Sequence, residues 1–434
     1  MSILARSVAD LGAELAAVRQ RRPDPGGSVR SSDDPDAASE ALSRAVLGSV
    51  AEPGDGVLGR AVAAVGAPRV AELLLSSATP AILVEAVQEA GEHLDEREAT
   101  AGLERWRPRL DHPGFVRSLA QAARVGARLV IPSDPEWPVG LDELGLHAPL
   151  ALWIRGHAGA LAGAMPAVAL VGARAATGYG EHVTMESASG LVDRGFAVVS
   201  GGAYGIDGMA HRSALASGGT TVAFLAGGVD RFYPMGHEAL LTRIVQTGAV
   251  ISELPCGAAP TKWRFLQRNR LIAAASAATV VLEAGIRSGS LNTAGHAAEL
   301  GRPLGAVPGP VTSPASAGCH RLLREYDAVC VVDAEQMAEL AGGRSTRPRR
   351  EERDGVLPRG GVRPGQGEQA PAVAPSAEAL RVMDALSTRT VRELEDLVRR
   401  SGMEAGAVMA VLGVLEIHGI AERRRGGWIR RRGR

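Results

Sequence analysis

The sequence predicts an α/β protein in which a doubly wound, mostly parallel sheet is flanked by an N-terminal helical domain and a C-terminal winged helix. From Ala167 to about residue 335, short apolar runs such as AVALV and ATVVLE alternate with helical patterns, as expected for strands buried on both faces. Apolar residues recur at helical spacing before this region. After it come three helical patterns and two apolar pairs separated by a charged Gly-Gly turn, which is the order of a winged helix.

Length and composition indicate a globular protein of two or three domains. The chain has 434 residues, 45% hydrophobic and 22% charged, and no apolar run approaches the roughly 18–20 residues of a membrane span. The N-terminus lacks the apolar core of a signal peptide, so we expect a cytoplasmic protein. Cys256, Cys319 and Cys330 show no CxxC spacing, which argues against a disulfide framework or a cysteine zinc site. We expect neither a metal nor a cofactor.

Shifts in composition predict the domain boundaries. Turn formers and charged residues dominate most of the first forty positions, and Pro, Gly and charge dominate a second stretch near the C-terminus. Ser376 and Thr390 are suited to cap helices of the last domain. We therefore expect a disordered tail over 1–40, a helical domain over 41–110, a bridging segment with two short strands over 111–160, the sheet domain over 161–340, a flexible linker over 341–375 and the winged helix over 376–434.

Two glycine-rich turns follow the first two predicted strands of the sheet domain. Gly172 and Arg174 come directly after one strand, and the turn Ser200, Gly201, Gly202 follows the next. Glycine lets backbone N–H groups approach an anion, the helix that follows adds its positive end, and the arginine adds a cation. Because open α/β sheets bind ligands at the carboxyl ends of their strands, we expect both turns to contribute to one phosphate-binding edge.

Two later segments carry further groups suited to phosphate. Nine consecutive residues hold four cations, two aromatic rings and no acid: Lys262, Trp263, Arg264, Phe265, Leu266, Gln267, Arg268, Asn269 and Arg270. Cations beside stacking rings are typical of single-strand binding, although 3% aromatic residues argue against an extended stacking platform. The alternative is a solvated basic loop with its aromatic residues in the core. The second segment is a helix start whose small side chains can donate to phosphate, with a cation before them: Arg287, Ser288, Gly289 and Ser290.

Other chemistry is less well supported by the sequence. Asp207 and His211 are four residues apart and could ligate a metal or exchange protons, but a helix cap with a structural hydrogen bond explains them without a third ligand. The rival to nucleic-acid binding is a Rossmann-like phosphoribohydrolase, for which Glu283 is the candidate carboxylate, although the PGGxGT stretch of those enzymes is missing. A dehydrogenase lacks support because there is no GxGxxG turn.

The order and spacing of the motifs resemble the DprA/Smf family of DNA-processing proteins over roughly residues 125–335. The segments that carry the resemblance are VGARxxTGYG, SGGAYGIDGMAH, GGVDRFYP, ISELP, RNRLIAAAS, EAGIRSGSLNTA and GRPLGAVPGP. The resemblance implies an extended Rossmann-like domain, an N-terminal SAM-like helical domain and a C-terminal winged helix. It also implies a non-enzymatic mediator that binds single-stranded DNA, protects incoming DNA, forms a homodimer and helps load RecA during natural transformation.

Carried over residue by residue, the resemblance implies a DNA pocket built from four segments: the turn with Gly172 and Arg174; the turn Ser200, Gly201, Gly202; the motif Arg268, Asn269, Arg270; and the loop Ser288, Gly289, Ser290. Lys262 and Arg264 are added from local charge alone. The chain departs from the family pattern at Tyr204, Leu266, His320 and Tyr326-Asp327. At the first of these the family commonly has a basic residue, so one phosphate contact is missing or replaced by stacking.

The sequence leaves the function of the winged helix open. Seven arginines after residue 422 suit a duplex-backbone contact. Winged helices also bind proteins, and the second predicted helix of this domain mixes acids with its arginines. DNA binding, partner binding and self-regulation are the three alternatives.

Overall fold

The computed structural model describes residues 11–19, 35–161, 166–342 and 376–431. Its α-helices are α1 Gly12–Arg19, α2 Pro35–Val50, α3 Gly56–Val65, α4 Ala67–Leu75, α5 Pro80–Glu89, α6 Glu96–Trp106, α7 His112–Arg124, α8 Gly178–Asp193, α9 Ile206–Ala216, α10 Glu238–Thr247, α11 Lys262–Ala274, α12 Ser290–Glu299, α13 Ala317–Glu325, α14 Ala334–Leu340, α15 Ala377–Ala385, α16 Leu394–Ser401 and α17 Ala405–Ile417. Its strands are β1 Arg128–Val130, β2 Leu152–Gly156, β3 Ala167–Gly172, β4 Ala197–Ser200, β5 Thr221–Phe224, β6 Ala249–Ser252, β7 Ala278–Glu283, β8 Leu304–Ala306, β9 Val329–Cys330, β10 Ala421–Arg424 and β11 Gly427–Arg430.

A nine-stranded sheet forms the centre of the molecule, in the order β1-β2-β6-β5-β4-β3-β7-β8-β9. The seven strands from β6 to β9 pair in parallel, whereas β2 pairs antiparallel with both β1 and β6. The prediction of a doubly wound, mostly parallel sheet is confirmed. The two short strands expected in the bridging segment extend this sheet at one edge, so the bridge is part of the sheet domain.

Apolar side chains fill both faces of the parallel strands. Along β3, Ala169 and Val171 face a core built with α11, α12 and α13, while Val168 and Leu170 face one built with α8, α9 and α14. The alternation is that of strand geometry, in which successive side chains point to opposite faces. Burial of both faces explains why these strands are continuous apolar runs in the sequence.

The N-terminal helices make two different contacts. Helices α2 to α6 surround a core of their own that includes Leu58, Leu74 and Trp106. Helices α1 and α7 pack against the sheet, with Leu15 and Val18 of α1 fully buried. The structure thus places a helix within the segment for which the sequence predicted a disordered tail.

The C-terminal domain has three helices followed by the hairpin β10–β11, as predicted for a winged helix. The Ser376 hydroxyl caps α15 by accepting from the Ala379 N–H at 3.1 Å. Thr390 does not cap α16, which begins after Glu393. Residues 343–375, which include most of the predicted linker, lie outside the described residues. Among the helices described, none combines the length and hydropathy needed to cross a membrane.

Candidate nucleic-acid interface

The loops after β3 and β7 lie side by side at the carboxyl edge of the sheet. The strand order reverses between these two strands, which is where open α/β sheets bind ligands. A side chain on Gly172 would place its Cβ 2.5 Å from Ile206 and 2.8 Å from the Glu283 carbonyl, so only glycine allows this close approach. Ala173 donates its N–H to that same Glu283 carbonyl at 2.7 Å. The close packing therefore joins the loops after β3 and β7 to the start of α9, which follows the predicted turn after β4.

Arg174 is an exposed cation at this edge. Its guanidinium lies 5.0 Å above the Phe265 ring, a cation–π arrangement that holds the side chain toward the start of α11. In the part of the chain that the structure describes, no carboxylate forms a salt bridge with it. Its charge is therefore exposed to solvent at this edge; that it binds a phosphate stays a prediction.

The turn Ser200–Gly202 is buried at the carboxyl end of β4, beneath the exposed loops, and forms the floor of the candidate site. The Ser200 hydroxyl donates to the Leu170 carbonyl at 2.6 Å, and the Gly201 N–H donates to Asp207 Oδ2 at 3.2 Å. Arg268 donates from Nη1 to the Gly201 carbonyl at 2.5 Å. The three residues of the turn are buried, so the turn shapes the site from beneath.

Arg268 and Asp207 are both buried under this turn. Arg268 is 5% exposed and Asp207 is 7% exposed. Burial lowers the pKa of Arg268 to about 10, with Asp207 acting in the opposite direction. Burial also raises the pKa of Asp207, although Arg268 and three backbone N–H groups favour its charged form. Both side chains are committed to the turn, since Arg268 donates to the Gly201 carbonyl and Asp207 accepts from the Gly201 N–H.

His211 and Asp207 do not act as a pair. The ring Nδ1 of His211 lies 2.7 Å from the Thr221 hydroxyl, and burial lowers the pKa of this histidine to about 3, so the ring is neutral. Asp207 does not cap α9, since the helix begins after Gly205; its carboxylate accepts from the preceding turn instead. No group of three His, Cys, Asp or Glu side chains suited to a metal ion occurs among the described residues.

The basic segment forms the first turns of helix α11, not a loop. The Thr261 hydroxyl caps this helix by accepting from the Arg264 N–H at 3.2 Å. Lys262 is exposed, but Arg264 Nη2 lies 2.8 Å from Glu52 and Arg270 Nη2 lies 2.7 Å from Glu253. Two of the four predicted phosphate contacts therefore already have carboxylate partners.

The loop before α12 is tied to α11 by an amide. Asn269 donates from Nδ2 to the Gly289 carbonyl at 3.3 Å and to Asn292 Oδ1 at 3.1 Å. The hydroxyls of Ser288 and Ser290 lie 2.7 Å apart, at the first turn of the helix. Arg287, just before them, is exposed. The loop thus presents a cation and a helix N-terminus to the same edge as Arg174.

Glu283, the candidate catalytic carboxylate, is 2% exposed and serves the loop after β3. It accepts from the Thr177 N–H at 2.8 Å and from the Thr177 hydroxyl at 2.6 Å. Thr177 in turn caps helix α8. This carboxylate therefore holds the start of α8 in place beneath the edge.

The winged helix covers the start of α11. The backbone N–H of Trp263 donates to Asp384 Oδ2 at 3.2 Å, and the guanidinium of Arg381 lies 5.4 Å over the Trp263 ring. Nearby, Glu52 binds both Arg264 and Arg109, so all three domains meet here. No sequence signal predicted this junction, because Glu52 stands in a turn between two helices with no motif around it.

Comparison with known proteins decides the family. Residues 128–342 match the model of DNA recombination-mediator protein A, and residues 366–427 match that of the DprA winged helix domain. A Mycobacterium tuberculosis protein named as a DNA processing protein DprA is 46% identical over 335 residues, which cover 73% of this chain and 82% of that protein. The chain belongs to the DprA/Smf family.

Two further comparisons agree with this assignment to the DprA/Smf family. The DNA processing protein DprA of Streptococcus pneumoniae is 37% identical over 207 residues, covering 48% of this chain and 72% of that protein. The X-ray structure of the protein from the same organism superposes with a TM-score of 0.55 at 28% identity, over 69% of this chain and 95% of that one. The family resemblance seen in the sequence motifs is confirmed.

Proposed function

We propose that this recombination mediator of the DprA/Smf family binds single-stranded DNA at the carboxyl edge of its sheet. In this role it protects incoming DNA and helps load RecA during natural transformation. The observation that carries the proposal is that two exposed cations, Arg174 and Arg287, stand on the two loops that meet where the strand order reverses. A third exposed cation, Lys262, begins the helix whose Phe265 ring lies under Arg174. Cations and helix N-termini at such an edge suit a chain of phosphates.

The site residues divide into two groups by the role that we assign to them. The exposed Arg174 and Lys262 would contact phosphates directly, with Gly172, Ser288, Gly289 and Ser290 supplying backbone and hydroxyl groups beside them. The remaining members are buried or half-buried and support these contacts from below: Ser200, Gly201, Gly202, Arg264, Arg268, Asn269 and Arg270. Glu283 is committed to Thr177, so nothing in this geometry favours the rival hydrolase.

The proposal includes a homodimer and a cytoplasmic location. Strand β9 ends the sheet with Val329 half-exposed and Val332 56% exposed, which leaves an apolar edge for a second copy. Two linked sites would hold distant parts of one strand together, because the second contact forms at a high effective concentration. Light scattering coupled to size-exclusion chromatography measures the mass; a monomer at all concentrations would contradict this part.

The experiment that tests the site is binding of fluorescent oligo-dT and a matching duplex across a salt series. We expect the Arg174→Ala/Lys262→Ala variant to weaken single-strand binding and to lower the salt slope by about 1.4, since each lost phosphate contact removes about 0.7. The matched control is Arg117→Ala/Arg124→Ala, two exposed arginines of α7. Single-strand affinity that survives the Arg174→Ala/Lys262→Ala variant would place the site elsewhere.

A further inference from the structure

Two exposed tyrosine rings lie at the carboxyl edge beside Arg174. Tyr204 and Tyr233 each leave 48% of their surface exposed. All four tyrosines of the chain are exposed, and these two are the most exposed of them. Tyr204 follows β4 and Tyr233 follows β5, in the loops next to the proposed phosphate contacts. Exposed apolar rings grouped in this way mark a binding surface.

Tyr204 is supported on one side by a buried imidazole. Its ring packs edge-on against His237, with centroids 4.8 Å apart and an interplanar angle of 72°. His237 is buried, and its Nδ1 lies 3.0 Å from the Gly202 carbonyl. The turn that forms the floor of the site therefore also fixes the position of this tyrosine. Even with this support, about half of the Tyr204 surface stays exposed.

Tyr233 is linked to the phosphate site through Phe265. The two rings are tilted by 56° with centroids 5.6 Å apart. Phe265 also lies under Arg174, at 5.0 Å, and under Arg268, at 5.6 Å. One aromatic ring thus contacts both the tyrosine and the cation expected to bind phosphate. This arrangement places the exposed Tyr233 ring next to the nucleotide whose phosphate Arg174 would hold.

We propose that Tyr204 and Tyr233 form a stacking site for the bases of the single strand. The proposal rests on the proposed function, because it names how the same edge holds the strand. Phosphate contacts are common to single and double strands, whereas base faces are accessible only in an unpaired strand. Stacking on these two rings would make the site prefer single strands. It would depend little on sequence, because every base has an aromatic face.

The test compares oligo-dT with an abasic strand of the same length, which keeps the phosphates and lacks the bases. We expect Tyr204→Ala/Tyr233→Ala to weaken oligo-dT binding about 10-fold or more, while affinity for the abasic strand stays within about two-fold. Tyr204→Phe/Tyr233→Phe should retain wild-type affinity for both strands, because stacking needs the ring. The matched control is Tyr326→Ala, which removes a ring that is 38% exposed at the end of α13.

The outcomes separate the stacking site from the proposed function. An equal loss on both strands, or unchanged oligo-dT binding, would overturn the stacking site while wild-type binding still supports the function. Wild-type protein that binds neither strand would overturn both. A 2-aminopurine base in the strand gives a second readout: its fluorescence should fall on wild-type binding and recover with Tyr204→Ala/Tyr233→Ala, whereas equal quenching by both proteins contradicts stacking.

Discussion

The carboxylate of Glu52 holds the three domains together, and Glu52→Gln should loosen them. Glu52 is 8% exposed and lies 2.6 Å from Arg109 and 2.8 Å from Arg264. Arg109 also donates from Nε to the Arg399 carbonyl of the winged helix at 2.8 Å. One buried carboxylate therefore neutralises cations from the helical and sheet domains, and one of these cations contacts the third domain.

The size of the effect follows from the pKa of Glu52. Burial alone would raise this pKa, but Arg264 and Arg109 outweigh it and hold the value at about 2, against an ordinary 4.5. A difference of this size corresponds to about 3 kcal/mol of stability. Because the folded-state pKa is depressed, this stability is present above pH 4.5 and is lost as the pH falls toward 2. Glu52→Gln removes it and leaves two arginines without their carboxylate.

Urea unfolding at neutral pH measures the loss. We expect Glu52→Gln to lower the urea concentration at the unfolding midpoint by about 1 M. This value is the lost free energy of unfolding, about 3 kcal/mol, divided by a denaturant slope of about 3 kcal/mol/M. The control is Glu98→Gln, since Glu98 pairs with Arg60 at 2.8 Å with both side chains about a third or more exposed, and such pairs contribute about 0.5 kcal/mol. A midpoint equal to that of the control, or a difference that persists near pH 2, would refute this reasoning.

Four further predictions concern the sheet domain. Arg270→Ala should destabilise the protein by about 3–5 kcal/mol, because it leaves Glu253 buried without its partner. Arg174→Ala should leave the melting temperature unchanged, because Arg174 is exposed. Equal melting temperatures of the two variants would contradict this. Gly201→Ala should lower the free energy of unfolding by about 1–3 kcal/mol and weaken DNA binding, because a Cβ there collides with the Arg268 guanidinium. An unchanged melting temperature in calorimetry would contradict this. His211 binds a proton more readily in the unfolded chain, because its folded-state pKa of about 3 lies below the ordinary 6.5. The free energy of unfolding should therefore fall by about 1.4 kcal/mol for each pH unit below 6.5. His211→Gln should make this pH dependence less steep, as measured by urea unfolding at several pH values. Cys256 and Cys319 are buried, and burial raises the pKa of each thiol to about 12, so both should react with a thiol reagent only on unfolding. Rapid labelling of either thiol in native protein, read by mass spectrometry, would contradict this.

Short-range patterns were sufficient to predict the fold class and the loops of the candidate site. Parallel strands are buried on both faces, so runs such as AVALV appear in the sequence as unbroken apolar segments. Their carboxyl ends must share one edge, which is why the turns at Gly172 and Ser200 could be grouped from the order of the strands and turns alone. Helix α1 was harder to predict, because it is short and its apolar side is buried by distant parts of the chain, helix α7 and the sheet.

The sequence by itself determined the sheet, the three helices and hairpin of the winged helix and the positions of the anion-friendly loops, because each depends on residues a few positions apart. Only the tertiary structure decided which cations face solvent. Arg264 is bound by Glu52, which is 212 residues away along the chain, and Arg270 by Glu253, which follows β6 and precedes this arginine by 17 residues. Equal charges in one short segment therefore have unequal roles: Lys262 stays exposed, while its two arginine neighbours are neutralised by carboxylates that no local pattern reveals.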